Sequence, residues 1–166
     1  MNHFSFVDGT PGTLSQANAL ISSAVRSWPA PERLIRRSIP VLQYMRADLI
    51  DFDYAFCIHR NRAVAVAFWI IDQDNRQIDL HGLYTAANWQ GLGAGQALQE
   101  YLVRTSQNHK LDSVHVKAHK HSRTYFEKQG YLKSEGTHTG EIYPYRYVKP
   151  IVSFSCSMNR ESPETA

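Results

Sequence analysis

Gln90-Gly91-Leu92-Gly93-Ala94-Gly95 is the segment of this 166-residue chain that decides its fold. A strand-like stretch precedes it, and the clearest amphipathic helix pattern of the chain follows it. In such a strand–turn–helix unit, consecutive backbone N–H groups lie at the positive end of the helix dipole, where phosphate oxygens bind. The segment therefore predicts a turn that holds an anion.

Three kinds of anion-binding turn can be compared with this segment. A nucleoside-triphosphate loop needs Lys followed by Ser or Thr after its last glycine, but Gln96-Ala97 follows Gly95. A dinucleotide fingerprint counted from Gly91 needs a third glycine where Gln96 stands. The pattern Gln-x-x-Gly-x-Gly fits, with Gln90, Gly93 and Gly95 at the required spacing. A glycine-rich helix entry without any ligand is the remaining alternative for the hexapeptide alone.

The Gln-x-x-Gly-x-Gly pattern resembles the coenzyme A pyrophosphate loop of the GNAT superfamily of N-acetyltransferases. Leu83-Tyr84-Thr85 resembles the strand that precedes this loop in the family, and Tyr125-Phe126-Glu127-Lys128-Gln129-Gly130-Tyr131 resembles its late helix. The glycine turn and the late helix are separated along the chain as they are in the family. Together the resemblance covers roughly residues 54–152, and residues 4–53 and the tail have no specific support from it.

The resemblance implies acetyl-CoA as co-substrate. A bulge near residues 82–85 is expected to splay this strand from the strand at 113–118, so that the pantetheine arm bonds to main-chain groups in the opening. His119 stands where the family often has Asn, a position that contacts the coenzyme. The coenzyme-binding residues that the resemblance implies are Leu83, Tyr84, Thr85, Gln90, Gly91, Leu92, Gly93, Ala94, Gly95, His119 and Phe126.

Acyl transfer to an amine needs a base, and two residues of the strand at 77–85 are candidates. Asp79 lies eleven residues before Gln90, where the histone acetyltransferase branch of the family carries a glutamate. His81, expected on the same face of the strand, is the rival. The alternatives are an ordinary solvated strand charge for Asp79 and an ordinary hydrogen-bonded histidine for His81.

The family often places a tyrosine that acts as general acid where this chain has Phe126, and a phenyl ring cannot donate a proton. Tyr125 is adjacent but turned by about 100° around the helix, which is more typical of a packing residue than of a displaced acid. It is kept as a candidate catalytic residue. The histone-type branch also reads Tyr-Phe here, which makes the departure compatible with activity.

Three histidines, His115, His119 and His121, resemble a metal-ligand set only superficially. A strand histidine followed by two loop histidines lacks any paired cysteine, and residues 122–126 supply no further ligand. The sequence therefore predicts no metal site.

The element pattern predicts one α/β (α+β) domain over residues 1–152, with a mixed sheet of about six to seven strands flanked by about four helices. Strands are expected at residues 4–8, 54–60, 63–72, 77–85, 113–118, 131–134 and 145–152, with Asn61-Arg62 and residues 73–76 as turns. The β–α–β order at 113–134 predicts parallel neighbouring strands. Residues 153–166 form a polar tail that is expected to be frayed.

The N-terminal third contains the predicted helices that are hardest to place. Thr13 and Gln16 have the form of a capping box for a helix with apolar positions at 14, 17, 21, 25 and 28. Prolines divide the next stretch, which predicts short helices at 32–37 and 41–50. Helices are also expected after Gly93 and at 122–129, the latter closed by Gly130.

Composition excludes several classes of protein. The 18 Lys and Arg against 15 Asp and Glu are scattered along the chain, which argues against nucleic acid as a partner. No apolar run is long enough to cross a membrane, and the N-terminus lacks the pattern of a secretory signal, so a cytoplasmic protein is expected. Cys57 and Cys156 are expected to be reduced thiols.

Two functions of different classes follow from these observations. The first is an enzyme that acetylates a primary amine of a small molecule, peptide or protein; the second is a domain that binds or senses acyl-CoA without turnover. The amine acceptor is not identified by the sequence, and its recognition is expected at residues 28–40 and in the loop 135–145, where Glu141, Tyr143 and Tyr145 could surround a cation. The protein is expected to be a monomer or a homodimer.

Overall fold

A computed structural model describes residues 3–134 and 143–152. The strands are β1 (Ser5–Asp8), β2 (Asp53–His59), β3 (Arg62–Asp72), β4 (Gln77–Thr85), β5 (Ser113–Ala118), β6 (Leu132–Lys133) and β7 (Tyr145–Pro150). The α-helices are α1 (Leu14–Arg26), α2 (Glu32–Leu42), α3 (Ala94–Asn108) and α4 (Arg123–Lys128), and short 3₁₀ helices span Arg46–Ile50, Ala87–Trp89 and Lys120–Ser122. The predicted mixed sheet with flanking helices is confirmed.

The sheet has seven strands in the order β1-β2-β3-β4-β5-β7-β6. Strands β1 to β4 pair antiparallel, and β4 pairs with β5 in parallel. The expectation that β5 and β6 are neighbours was wrong, because β7 lies between them. Strand β7 pairs with β5 through six residues and with β6 through two, so the long antiparallel pairing determines the order.

Each face of the sheet carries its own hydrophobic core. One face packs against α3, where Leu98 and Leu102 belong to the same buried cluster as strand residues such as Ile78 and Leu80. The other face packs against α1, where Ile21 and Val25 are buried with Phe68. The helical spacing predicted for α1 and α3 is therefore confirmed, because the apolar side of each helix covers the sheet.

The predicted capping box of α1 is absent. Thr13 is the residue before the helix, but its side chain makes no capping hydrogen bond. Its hydroxyl oxygen instead accepts from the Thr10 backbone N–H at 3.0 Å and lies 2.8 Å from Tyr54 Oη. These partners compete with the cap for the same oxygen. Trp28, predicted as the last apolar position of the helix, lies beyond its end.

The two short helices predicted at 32–37 and 41–50 were also wrong. A single helix, α2, continues through Pro40 to Leu42, and only the 3₁₀ helix Arg46–Ile50 follows it. Proline removes one hydrogen bond to the preceding turn and crowds its carbonyl. Because Pro40 lies in the last turn, this cost ends the helix two residues later instead of dividing it.

The turns lie where the sequence predicts them, except that the β2–β3 turn is shifted by one residue. The β2–β3 turn centres on Arg60-Asn61, one residue before the predicted pair, and both have positive φ, at 47° and 62°. Two left-handed residues in a two-residue loop match the right-handed twist of a hairpin. The turn at residues 73–76 and the left-handed Gly130 after α4, with φ 82°, are confirmed.

Strand β4 contains a bulge that places the site described below. Phe68 pairs with Gly82 while Trp69 pairs with Leu80, so His81 is the extra residue. Gly82 is consequently turned away from the face of Leu80: a Cβ on Gly82 would lie 2.7 Å from Tyr84 Cε2 and 3.0 Å from Tyr44 Oη. The bulge was expected at residues 82–85 and lies one residue earlier.

Two expectations concern the rest of the chain. The predicted frayed tail, residues 153–166, lies outside the described residues. Among the described residues, no helix is both long and apolar enough to cross a membrane.

Candidate active site

The glycine turn between β4 and α3 has the geometry of an anion-binding loop. Gly91 and Gly93 have φ of 74° and 92°, which side chains rarely adopt. The first hydrogen bond of α3 runs from Ala97 N to Gly93 O at 2.9 Å. The earlier N–H groups, those of Ala94 to Gln96, are therefore available at the positive end of the helix. This end of α3 can hold phosphate oxygens.

The side chain of Gln90 fixes the turn to the rest of the fold. Its Nε2 donates to Ser27 Oγ, just after α1, at 2.8 Å. Trp89, the residue before it, packs on His59 with ring centroids 4.6 Å apart and on Phe4 at 6.3 Å. The Gln90 side chain thus anchors the turn to the end of α1. Leu92, within the turn, is about half exposed.

Tyr125 lies directly against the first turn of α3. A Cβ on Gly95 would lie 2.8 Å from Tyr125 Oη and 3.5 Å from Thr85 Oγ1, so only glycine leaves room for the tyrosine. The Tyr125 hydroxyl is buried, and it makes no hydrogen bond of normal geometry with the described residues. Burial raises its pKa to about 12, partly opposed by the nearby Gln99 amide. Tyr125 therefore packs beneath the glycine turn as a neutral phenol.

Phe126, which occupies the position of the family's acid, faces the core. It is buried, and its ring makes edge contacts with Tyr125 and Tyr131 at centroid distances of 5.2 and 5.3 Å. Tyr125 therefore faces the glycine turn while Phe126 faces the core, as expected for adjacent residues on a helix.

Strands β4 and β5 separate beyond the pair Leu80–Val116, which is their last paired position. His81 and Lys117 follow this pair, one on each strand, so they flank the start of the opening. The splayed strand pair expected from the sequence is confirmed. A cleft of about 840 Å³ lies on the α1 face of the sheet. Its charged and imidazole-bearing lining residues are Asp48, Asp79, His81, His115, Lys117 and Arg146.

His81 is held at the mouth of the opening by two aromatic residues. Its Nδ1 lies 3.4 Å from Tyr44 Oη, and Phe52 contacts its ring edge-on at a centroid distance of 4.8 Å. Burial and the positive charge of Lys117 lower the pKa of His81 below its usual 6.5, against the opposing effect of Asp79 and Asp48. The imidazole is therefore neutral at pH 7 and able to accept a proton.

Asp79 lines the same cleft but lies within the paired part of the strands. Its Oδ1 accepts a hydrogen bond from Gln77 Nε2 at 2.8 Å, and its register partner on β5 is His115. The structure thus brings both candidate bases to one face, as the sequence predicted, with His81 closer to the point where the strands diverge.

Tyr44 is a site residue that the sequence did not reveal. The Asn18 side chain of α1 holds its backbone, since Asn18 Nδ2 donates to Tyr44 O at 2.8 Å and Tyr44 N donates to Asn18 Oδ1 at 2.9 Å. Its ring stacks on Phe68 at a centroid distance of 3.7 Å. Burial raises the pKa of Tyr44, which keeps the hydroxyl protonated. These contacts join residues that are distant in sequence, so no local motif predicts them.

The three histidines considered as metal ligands make separate contacts. His115 Nε2 lies 2.9 Å from Ser113 Oγ, while His119 Nδ1 accepts from the backbone N–H of His121 at 3.4 Å. Over residues 3–134 and 143–152, no three His, Cys, Asp or Glu side chains are grouped to hold a metal ion. His119 is exposed, with the ring of Tyr143 at 6.2 Å, so it lies at the edge of the cleft beside a lining residue.

The walls of the cleft differ partly from the predicted recognition regions. Its first wall comes from residues 41–52, just after the predicted stretch 28–40. Tyr143 lines the cleft, as the loop prediction implied, whereas Tyr145 lies under the Arg123 guanidinium at 4.3 Å. Glu141, the third residue of that prediction, lies outside the described residues.

Comparison with known proteins agrees with this geometry. Residues 32–141 match the acetyltransferase (GNAT) domain family. No curated protein matches the chain by sequence.

Solved structures share the fold at low identity. The PaiA N-acetyltransferase from Thermoplasma acidophilum in complex with coenzyme A superposes with a TM-score of 0.73 at 11% identity, over 89% of this chain and 99% of that one. A GCN5-related N-acetyltransferase from Rhodopseudomonas palustris gives 0.73 at 16%, over 90% and 97%. Tetrahymena GCN5 gives 0.69 at 16%, over 90% and 98%. With the family match over residues 32–141, the chain belongs to the GNAT acetyltransferases and is an acyltransferase.

Proposed function

We propose that this protein transfers the acetyl group of acetyl-CoA to a primary amine by direct attack in a ternary complex. The observation that carries the proposal is the opening between β4 and β5, which has the glycine turn beyond one end and His81 at the other. From His81 to Thr85 the strand advances about 13 Å, at roughly 3.3 Å per residue. An extended pantetheine arm can bridge such a distance.

The coenzyme is proposed to bind mainly through the backbone. The pyrophosphate is proposed to lie on the N–H groups of Ala94 to Gln96, supported by Gln90, and the pantetheine arm follows Leu83 to Thr85 along the unpaired edge of β4. This placement is supported by the similar fold of the Thermoplasma protein, whose structure contains coenzyme A. His119 and Phe126 remain proposed contacts through the family resemblance.

His81 is proposed as the base, with Asp79 as the alternative. The amine nitrogen attacks the thioester carbonyl carbon, the C–N bond forms, the C–S bond breaks, and the amine proton passes to the base. For Nε2 of His81 to accept it, Nδ1 must carry its own proton and donate to Tyr44 Oη, which the 3.4 Å separation suits. Main-chain N–H groups near Leu83 and Tyr84 are proposed to polarise the carbonyl.

The leaving thiolate does not require a tyrosine acid in this proposal. Phe126 has no proton to give, and Tyr125, with a pKa raised to about 12, lies beneath the glycine turn. A thiol has a pKa of about 8.5, so its thiolate leaves acceptably near neutral pH. Tyr125 is therefore proposed to support the coenzyme turn, with proton donation to the thiolate as its alternative role.

The test is release of free thiol from acetyl-CoA in the presence of a panel of primary amines. Gly93→Glu should abolish both acetyl-CoA binding and turnover, because a negative side chain enters the phosphate site. Gly93→Ala carries the same backbone strain at φ 92° without the charge, so it separates strain from charge.

Titration calorimetry on the folded variants gives the outcome. Gly93→Glu should bind acetyl-CoA at least about 100-fold more weakly than Gly93→Ala, a difference of roughly 2.7 kcal/mol. Equal affinities would mean that the pyrophosphate binds elsewhere. If the native protein binds acetyl-CoA tightly but releases no thiol with any of the amines, it is a coenzyme-binding domain without turnover.

A further inference from the structure

Three polar side chains are enclosed beneath the glycine turn. Gln99 of α3 is only 1% exposed, and it follows Gly95 by four residues, so the two lie on the same side of the helix one turn apart. Helix side chains lean toward the N-terminus, which carries the Gln99 amide toward Gly95 and the Tyr125 hydroxyl beside it. The Tyr131 hydroxyl lies 2.6 Å from Gln99 Oε1. Gln99 therefore stands between the two tyrosines.

The Tyr131 contact fixes the orientation of the Gln99 amide. An amide oxygen only accepts hydrogen bonds, so the Tyr131 hydroxyl donates to Oε1 and leaves Nε2 for another partner. Nε2 and the Tyr125 hydroxyl are both buried, and neither has a hydrogen bond of normal geometry among the described residues. The amide lies near enough to this hydroxyl to lower its pKa. Since Nε2 can only donate, the Tyr125 oxygen is its acceptor, and the Tyr125 proton is left for a third partner.

The reversed amide would leave a proton unpaired in the core. With Nε2 turned to Tyr131, the Tyr131 oxygen would accept, and its own proton would need a different acceptor. Tyr131 is 2% exposed, and over residues 3–134 and 143–152 its hydroxyl has no hydrogen-bond partner besides Gln99. A buried hydroxyl without a partner costs free energy. Only the orientation with Oε1 toward Tyr131 puts the unpaired proton at the glycine turn, where a ligand can accept it.

The Tyr125 proton is available where β4 meets α3. The Cβ position of Gly95 lies 2.8 Å from Tyr125 Oη and 3.5 Å from Thr85 Oγ1, so the hydroxyl lies between the end of the strand and the first turn of the helix. In the proposed complex, the pantetheine arm joins the pyrophosphate at this place.

We infer that Gln99 and Tyr131 are positioning residues, which direct the proton of the Tyr125 hydroxyl to an oxygen of the bound coenzyme where its pantetheine arm meets the pyrophosphate. The inference rests on the coenzyme placement of the proposed function and adds to it the groups that prepare this donor. Because the hydroxyl is enclosed, the half-buried Thr85 side chain turns aside as the coenzyme enters.

The experiment measures affinity by titration calorimetry with coenzyme A and with desulfo-coenzyme A, which lacks the sulfur atom. Tyr125→Phe should weaken the binding of both by about tenfold, because it removes a hydrogen bond to the coenzyme. Equal losses for the two ligands are expected from a contact to oxygen. A loss confined to coenzyme A would place the hydroxyl at the sulfur and overturn the inference.

Variants of the other two residues test the orientation. In Tyr131→Phe nothing holds Oε1, so the amide can reverse and accept the Tyr125 proton itself, and coenzyme affinity should fall by about three- to tenfold. Gln99→Glu offers an oxygen acceptor to both tyrosines and should cause a similar loss. In a Tyr125→Phe background, each change should alter affinity by less than about twofold, because no proton is left to direct. An effect of the glutamate charge alone would persist in that background.

Ser106→Ala is the matched control. Ser106 is also a buried polar residue of α3, and its hydroxyl donates within the helix to Leu102 O at 2.9 Å. The change should therefore leave coenzyme affinity within about twofold, even where it lowers Tm. Thermal melts show that each variant is folded at the temperature of the titration.

The outcomes separate this inference from the proposed function, since the titrations need no acceptor amine. Native-like affinity in Tyr131→Phe and Gln99→Glu, or losses that are the same with and without the Tyr125 hydroxyl, would overturn the positioning role alone. Coupled losses of affinity in a protein that releases no thiol with any amine would overturn the acetyl transfer alone. A native protein that does not bind coenzyme A would overturn both.

Discussion

At the scale of single residues, the site depends on which atoms the backbone turns toward the opening. The bulge at His81 brings the imidazole to the divergence point of the strands, while Asp79 stays in the paired region beside Gln77. Either group could take a proton chemically. Position, and a pKa lowered by burial and by Lys117, favour His81.

Replacing each candidate base in turn distinguishes them. His81→Gln should lower kcat/KM by roughly 10²- to 10⁴-fold at pH 7, because a positioned base contributes on that scale. Acetyl-CoA affinity should stay nearly intact in both His81→Gln and Asp79→Asn, and the Asp79→Asn loss should be below about tenfold.

The pH profile has a definite sign. A histidine base works only when it is neutral, so native activity is retained above the pKa of His81 and lost as the pH falls through that pKa. Because the pKa of His81 is lowered from 6.5, the acid limb of kcat/KM should lie below pH 6.5. The His81→Gln deficit should shrink as pH rises, since more acceptor amine is already neutral. A large loss in Asp79→Asn with a native-like His81→Gln would assign the base to Asp79.

Gly95 offers a second test at this scale. Gly95→Ala places a methyl group 2.8 Å from Tyr125 Oη, which should lower Tm by a few degrees, since overpacking costs about 1–3 kcal/mol. In a Tyr125→Phe background the hydroxyl is gone, and the same change should be neutral or stabilising because alanine favours helix by about 1 kcal/mol. Thermal melts of the four proteins measure this. An identical effect of Gly95→Ala in both backgrounds would contradict the contact.

At the scale of elements, helix α1 anchors the segment that covers the cleft. Asn18 holds both backbone groups of Tyr44, and Gln43 Nε2 donates to Ser22 Oγ at 2.9 Å. The segment after α2 is thereby tied to α1 at two points one turn apart. Tyr44 in turn contacts His81, so we expect α1 to affect the position of this candidate base indirectly.

Loss of the Asn18 contacts should therefore affect the acceptor side selectively. Asn18→Leu leaves the N–H and C=O of Tyr44 unpaired, which should cost about 1–3 kcal/mol of unfolding free energy. It should also raise the acceptor KM while the KM of acetyl-CoA changes little. Ser22→Ala, which removes the exposed contact to Gln43, is the control and should cost less than about 1 kcal/mol. Equal kinetic effects of the two variants would argue against the Asn18 contact as the element that positions Tyr44.

At the scale of the whole molecule, one sheet carries both proposed binding sites. Its β4–β5 opening is proposed to receive the coenzyme from the side of the glycine turn, and its α1 face carries the cleft proposed for the acceptor. The two faces have separate cores, so changes in the acceptor cleft are expected to leave the α3 side of the fold unaffected.

Metal removal tests the molecule as a whole. Dialysis against a chelator should leave both Tm and acetyl-CoA affinity unchanged, because the chemistry proposed here uses only side chains and main-chain groups. Calorimetry and a thermal melt before and after dialysis are the measurement. A loss of several degrees that added metal restores would show that a structural ion is required.

The sequence by itself determined the features that depend on short stretches of backbone. The glycine turn at 90–95, the apolar side of α3 and the alternation in β4 up to Leu80 were all predictable, because positive φ, helical period and strand period are local properties. The left-handed Gly130 belongs to the same class. The backbone geometry of the turn proposed for the coenzyme was consequently the part that could be predicted.

Only the tertiary structure determined the geometry of the cleft proposed for the acceptor. The bulge at His81 depends on the register between β3 and β4, and Lys117 is paired with Arg146 because β7 lies between β5 and β6. The contact between Tyr44 and His81 joins residues 37 apart in sequence. Strand register and order are set by the summed packing of distant segments, so the energies that fix them cannot be read from any local pattern.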